Sequence, residues 1–141
     1  MPISIKNDIV VNSTKSLDQS DASVTQLANG NLVVTWFSND KSGSDQSFSK
    51  VRARVLSSDG APIGPDFTVN TTTTGSQGEA HVSAFADGRF LVTWSSSQDG
   101  TSNEFFNFIR GRIYSPTGTP IGNEFPISSN GDHFAPTSFH L

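Results

Sequence analysis

The sequence predicts an all-β chain: two four-stranded, propeller-like blades with flanking strands, in a ring completed by other chains. Three observations predict it. The phrase "NLVVTWFSND" (residues 31–40) returns as "RFLVTWSSSQ" (residues 89–98). Short apolar runs alternate with Gly-, Pro- and Asn-bearing turns, the pattern of short strands. No stretch carries a 3.6-residue period with caps, so no helix is predicted.

The duplication organises the whole chain. Residues 12–69 laid over residues 70–127, at a constant offset of 58 and without a gap, give 21 identities. They include Gln19/Gln77, Ala22/Ala80, Val24/Val82, Gly30/Gly88, Trp36/Trp94, Arg52/Arg110, Arg54/Arg112, Gly60/Gly118, Pro62/Pro120 and Phe67/Phe125. Chance gives only a few, and a fixed period of this kind marks a repeat architecture. Residues 5–12 ("IKNDIVVN") match the end of each unit and read as the orphan last strand of a preceding one. Residues 128–141 read as the start of a third. The expected organisation is therefore one repeat domain: tail, unit 12–69, unit 70–127, head.

Each unit reads as four strands. The first is expected at 22–27 and 80–85. "ANG" and "ADG" follow, turns that need a residue at positive φ. The second is expected at 32–37 and 90–95, where apolar side chains point both ways, so both faces should be covered. The third is expected at 50–56 and 108–114. "SSDGAP" and "SPTGTP" turn the chain into the fourth, at 67–70 and 125–128, and proline there costs no ladder hydrogen bond. Face-to-face packing of four-stranded units is the logic of a propeller blade. A period of 58 is long for one, and the loops between second and third strands should hold the excess.

Gln19, Ala22, Val24, Gly30, Trp36, Arg52, Arg54, Gly60, Pro62, Ile63, Gly64, Phe67 and Asn70, with their partners 58 later, form a pattern covering nearly the whole chain. It resembles a tandem β repeat of large bacterial exported proteins, the RTX-type adhesin-associated repeats, and FG-GAP-like propeller blades. The resemblance implies a secreted or cell-surface bacterial setting, an adhesive or lectin-like role and an association with calcium. It carries no catalytic motif. Members tend to have many copies, and two blades cannot close a ring, so a homo-oligomer or a longer parent protein is expected.

Composition narrows the function. Of 141 residues, 33% are hydrophobic, the formal net charge is −4, and Lys and Arg together number 9. That is no electrostatic footprint for nucleic acid. With 0 cysteines there is no disulfide framework, thiolate metal site or Cys nucleophile. No apolar run reaches the ~18 residues of a membrane span, so no membrane insertion is expected. The N-terminus lacks the basic start and apolar block of a signal peptide. No H-E-x-x-H, G-x-S-x-G or phosphate loop occurs, so no enzyme is expected.

Three sets of residues are candidate sites. Trp36 and Trp94 could stack on a pyranose ring, or continue the apolar faces of their strands into the core; the core is favoured. Arg52, Arg54, Arg110 and Arg112 could fork onto carboxylates or sugar edges, or pair structurally with Asp66 and Glu124 between blades; pairing is favoured. Asp40, Asp45, Asp99, Asn103 and Glu104 supply oxygens that could bind calcium. Their carboxylates do not align between units and lack the EF-hand spacing, so a solvated loop is favoured. The expected function is a non-catalytic module recognising a glycan or other extracellular ligand through repeated equivalent sites, whose avidity would exceed each single contact. The alternative is a structural spacer or self-assembling domain.

Overall fold

A computed structural model describes residues 9–13, 19–39, 49–71, 77–96 and 108–127. They form eight strands: β1 (Gln19–Gln26), β2 (Leu32–Ser38), β3 (Lys50–Leu56), β4 (Phe67–Thr68), β5 (Gln77–Ala84), β6 (Phe90–Ser96), β7 (Phe108–Tyr114) and β8 (Phe125–Pro126). The strands make two antiparallel sheets, ordered β1-β2-β3-β4 and β5-β6-β7-β8. The described residues are thus all-β, with one sheet per sequence repeat.

The four turns among the described residues use one device. Leu27 donates its amide to Asn31 at 2.7 Å, and Gly30 donates to Leu27 at 2.9 Å with φ at 90°. Ser57 and Gly60 repeat this after β3, and Gly88 and Gly118 do so in the second sheet. Only glycine adopts that φ without steric cost. The Asn29 and Asp87 side chains brace the two β-hairpin turns by accepting the amides two residues on.

The first strands begin earlier than the alternation predicts, at Gln19 and Gln77. Pairing is interrupted by a bulge between Ser20 and Ser23, and again between Gly78 and His81. Asp21 and Glu79 sit in these bulges at φ of 53° and 50°. A bulge inserts one residue and reverses the in–out alternation, which hides the strand's start from a period-two reading. The outer strands are shorter than predicted. Val69 still bonds Val51 at 2.8 Å, but at Asn70 the side-chain oxygen, not the backbone, accepts the Val51 amide at 3.0 Å.

Each sheet has two unlike faces. In the first, Trp36 lies opposite Arg52, Val34 opposite Arg54 and Leu32 opposite Leu56. These define its front. Val33, Val51, Ala53 and Val55 define its back, and all four are buried. The second sheet lays its own front on that back. Val82, Phe90, Val92, Trp94 and Tyr114 join Val33, Val51, Ala53, Val55 and Val69 in a single core. β5 packs against β1, β2 and β3. The Ser49 hydroxyl donates to the Gln77 carbonyl at 2.8 Å and accepts the Gln77 amide at 3.0 Å, tying the sheets together at one edge.

Candidate functional site

Trp36 and Trp94 belong to the packed interior, being 5% and 0% exposed. Each indole N–H is satisfied 17 residues back. Trp36 donates to Gln19 at 2.8 Å and Trp94 to Gln77 at 3.1 Å. A buried indole N–H needs such a partner. Gln19/Gln77 is an identity of the repeat, and this pairing is the role its sequence position did not reveal.

The four arginines divide into two jobs. Arg52 forms an ion pair with Asp66, the two side chains being 8% and 3% exposed, and donates to the Thr68 hydroxyl at 2.7 Å. Arg110 pairs with Glu124 at 3.0 Å. Both pairs lie within one sheet, joining the third strand to the approach of the fourth, rather than between sheets. Pro126 replaces Thr68 and offers no hydroxyl; beside it the buried Arg110 Nε has no partner among the described residues.

The acid of each pair has a second task. The Asp66 carboxylate accepts the Ser13 amide at 2.7 Å and the Ser13 hydroxyl at 2.8 Å. Glu124 accepts the same two groups of Thr71 at 2.5 Å. Burial raises the Asp66 pKa, but the Ser13 hydrogen bonds and the Arg52 charge outweigh it and hold the carboxyl below its usual value. The second arginine of each sheet reaches the segment that precedes the sheet. Arg54 donates to the Val11 carbonyl at 2.7 Å and Arg112 to Val69 at 3.4 Å. Residues 9–13 therefore lie on the first sheet as residues 67–71 lie on the second. Side-chain contacts agree: a methyl placed on Gly60 would meet Ile9, and one on Gly118 would meet Phe67.

Two grooves result. One, of about 280 Å³, lies where the sheets meet and is lined by Val55, Phe67, Arg112, Tyr114, Thr117 and Thr119 among others. The Tyr114 ring stacks on Phe90 with centroids 5.2 Å apart, and its hydroxyl donates to Val69 at 3.3 Å. Burial pushes the phenol up to about 12 despite the Arg112 charge nearby. The other, of about 390 Å³, lies over the front of the first sheet, between residues 9–12 and Gln19, Ala22, Val34 and Trp36.

The five residues of the calcium expectation, Asp40, Asp45, Asp99, Asn103 and Glu104, lie outside the described residues. Among the described residues, no three His, Asp or Glu side chains group as a metal site. No helix there is long and apolar enough to cross a membrane. Compared with family models, curated proteins and solved structures, the chain has no match.

Proposed function

We propose that the chain is a non-catalytic structural module, a pair of propeller-like β-blades whose work is to stack on further blades. One observation carries this reading. Val24 and Val82 hold the same place in successive sheets, yet Val24 is 61% exposed and Val82 is 3% exposed. The difference is the neighbour: Val82 packs in the core shared with the first sheet, whereas Val24 has no such sheet over it among the described residues. An exposed apolar face of this kind marks an interaction surface. Its counterpart at the other end is the back of the second sheet, where Phe125 and Ile127 are 37% and 46% exposed although their equivalents Phe67 and Val69 pack into the core. The resemblance of the repeat supports an exported bacterial setting. Sedimentation of the chain across a concentration series tests the reading: association is expected, and a single species of 15.1 kDa at every concentration would falsify it.

A second reading, carbohydrate recognition, is favoured by the groove between the sheets. Phe67, Arg112 and the two threonines offer an aromatic edge and polar partners, the usual make-up of a small-ligand site. Its volume suits a single ring better than a chain of sugars. A glycan array, backed by melting with free monosaccharides, tests it; a flat response in both removes the sugar-binding role.

A further inference from the structure

We infer that the groove over Trp36 receives the back of the second sheet of another copy of this chain, and that residues 9–11 serve that copy as an outer strand in place of β8. The inference rests on the blade-stacking reading and adds the partner, the two faces and their polarity.

The template is inside the molecule. The front of the second sheet, bearing Val82, Val92 and Trp94, is covered by Val33, Val51 and Ala53 from β2 and β3. The front of the first sheet bears Val24, Val34 and Trp36 at the same positions. It carries residues 9–13 where the second sheet carries residues 67–71, but nothing described stands where β2 and β3 would be. That space is the 390 Å³ groove. The back of the second sheet is of the matching kind. Leu91, Ile109 and Ile113 on β6 and β7 are the equivalents of Val33, Val51 and Val55; in the single chain Leu91 and Ile109 are buried, Ile113 is half-buried, and the Phe125 and Ile127 side chains at β8 are the exposed ones. A front that meets a back leaves a free front and a free back on the assembly. The contact is therefore head-to-tail, and it either closes into a ring or extends as a filament.

One place has two claimants. The incoming copy brings residues 125–127 to the position that residues 9–11 already hold. Residues 9–11 have the stronger claim. They are fixed by Arg54 on Val11 and by Asp66 on Ser13. They end in Asn12, the equivalent of Asn70, whose side chain accepts a third-strand amide. β8 contains Pro126, which has no amide hydrogen to give a ladder, and its side chains are exposed. The bond to be exchanged is defined: Ile127 now donates to the Ile109 carbonyl at 2.8 Å, as Val69 does to Val51. In the assembly Val11 of one copy donates to Ile109 of the next.

The test uses the full chain. Val24→Asp spoils the front and Ile113→Asp the back. Each alone should give a single chain in sedimentation, and an equimolar mixture should give a dimer and nothing larger, since one good front and one good back remain. If Ile113→Asp loses the β spectrum in circular dichroism, Ile113→Thr replaces it. An assembly that forms but ignores both substitutions overturns the head-to-tail contact and leaves blade stacking standing; a wild-type chain that never associates overturns both. Because the sequence has 0 cysteines, Val11→Cys mixed with Ile109→Cys should yield one intermolecular disulfide on oxidation. Its absence in a mixture that does associate overturns the strand exchange.

Discussion

The indole of Trp94 donates to the amide oxygen of Gln77 with both side chains fully buried, while the same pair in the first sheet, Trp36 and Gln19, borders an open groove. Chemistry and spacing are equal, so the difference lies in access to water. Removing the acceptor strands a buried N–H at the cost of its desolvation, roughly 1–3 kcal/mol. Gln77→Leu should therefore destabilise the chain by about 2 kcal/mol. Gln19→Leu should cost less than half of that, because water can reach the Trp36 edge. Urea denaturation of dilute protein measures both, and equal losses would show that the two sites are equally dry.

Asp66 joins three parts of the chain: Arg52 on β3, the turn before β4, and Ser13 ahead of β1. Asp66→Asn keeps the shape and removes the charge, leaving the Arg52 guanidinium without its counter-ion in a buried place. The expected loss is about 3 kcal/mol. Because the folded pKa lies below the ordinary 3.8 of a free aspartate, the charged form stabilises the fold. That contribution is complete above pH 3.8 and disappears as the pH falls below it. Melting curves of wild type and Asp66→Asn should run apart at neutral pH and converge in acid. Parallel curves across the acid limb would remove Asp66 as the responsible group.

Much of the sheet was legible because each unit writes its strands with apolar residues on both sides and ends them at glycine. β3 and β7 fall where the sequence put them, Lys50–Leu56 and Phe108–Tyr114. The starts of β1 and β5 were not legible, since bulges at Asp21 and Glu79 break the alternation on which the reading depends. The partners of the arginines were half legible. Asp66 and Glu124 stood out as equivalents, and chain connectivity decided that they act within a sheet. Ser13 and Thr71 gave no signal: they match in chemistry and not in identity, and they meet their acids across 53 residues.

The third-turn glycines should separate from their neighbours by substitution. Gly60 and Gly118 have φ of 89° and 93° and would place a new methyl 3.1 Å from the nearest side-chain atoms. Adopting that backbone with a side chain costs about 1–2 kcal/mol. Gly118→Ala should cost more than Gly60→Ala, because it meets Val55 and Phe67, which are packed, whereas Gly60 meets the end of the half-exposed Ile9. Gly64→Ala has nothing within 4 Å and no unusual φ, so it should stay within about 0.5 kcal/mol of wild type. Thermal unfolding of the three variants checks the order.

Tyr114 is the single tyrosine of the chain, so phenolate absorption reads it alone. Its ring is 0% exposed, stacked on Phe90 and tilted against Phe67, at the junction of the two sheets. Burial resists the charged form, and the Arg112 guanidinium only partly offsets this, leaving the phenol at about 12 against 10.0 for the free group. The sign follows from proton binding: between these values the folded chain holds a proton that the unfolded chain has lost. Stability from this group is therefore intact below pH 10 and falls as the pH rises toward 12. A spectrophotometric titration should show an alkaline midpoint near 12 for the folded chain, returning to about 10 in denaturant. Tyr114→Phe should keep the stacking, lose the bond to the Val69 carbonyl and abolish the high-pH decline. A native midpoint near 10 would mean that the seam between the sheets is open to water, and the tight packing of one sheet's front on the other's back would then be lost as a template for larger assemblies.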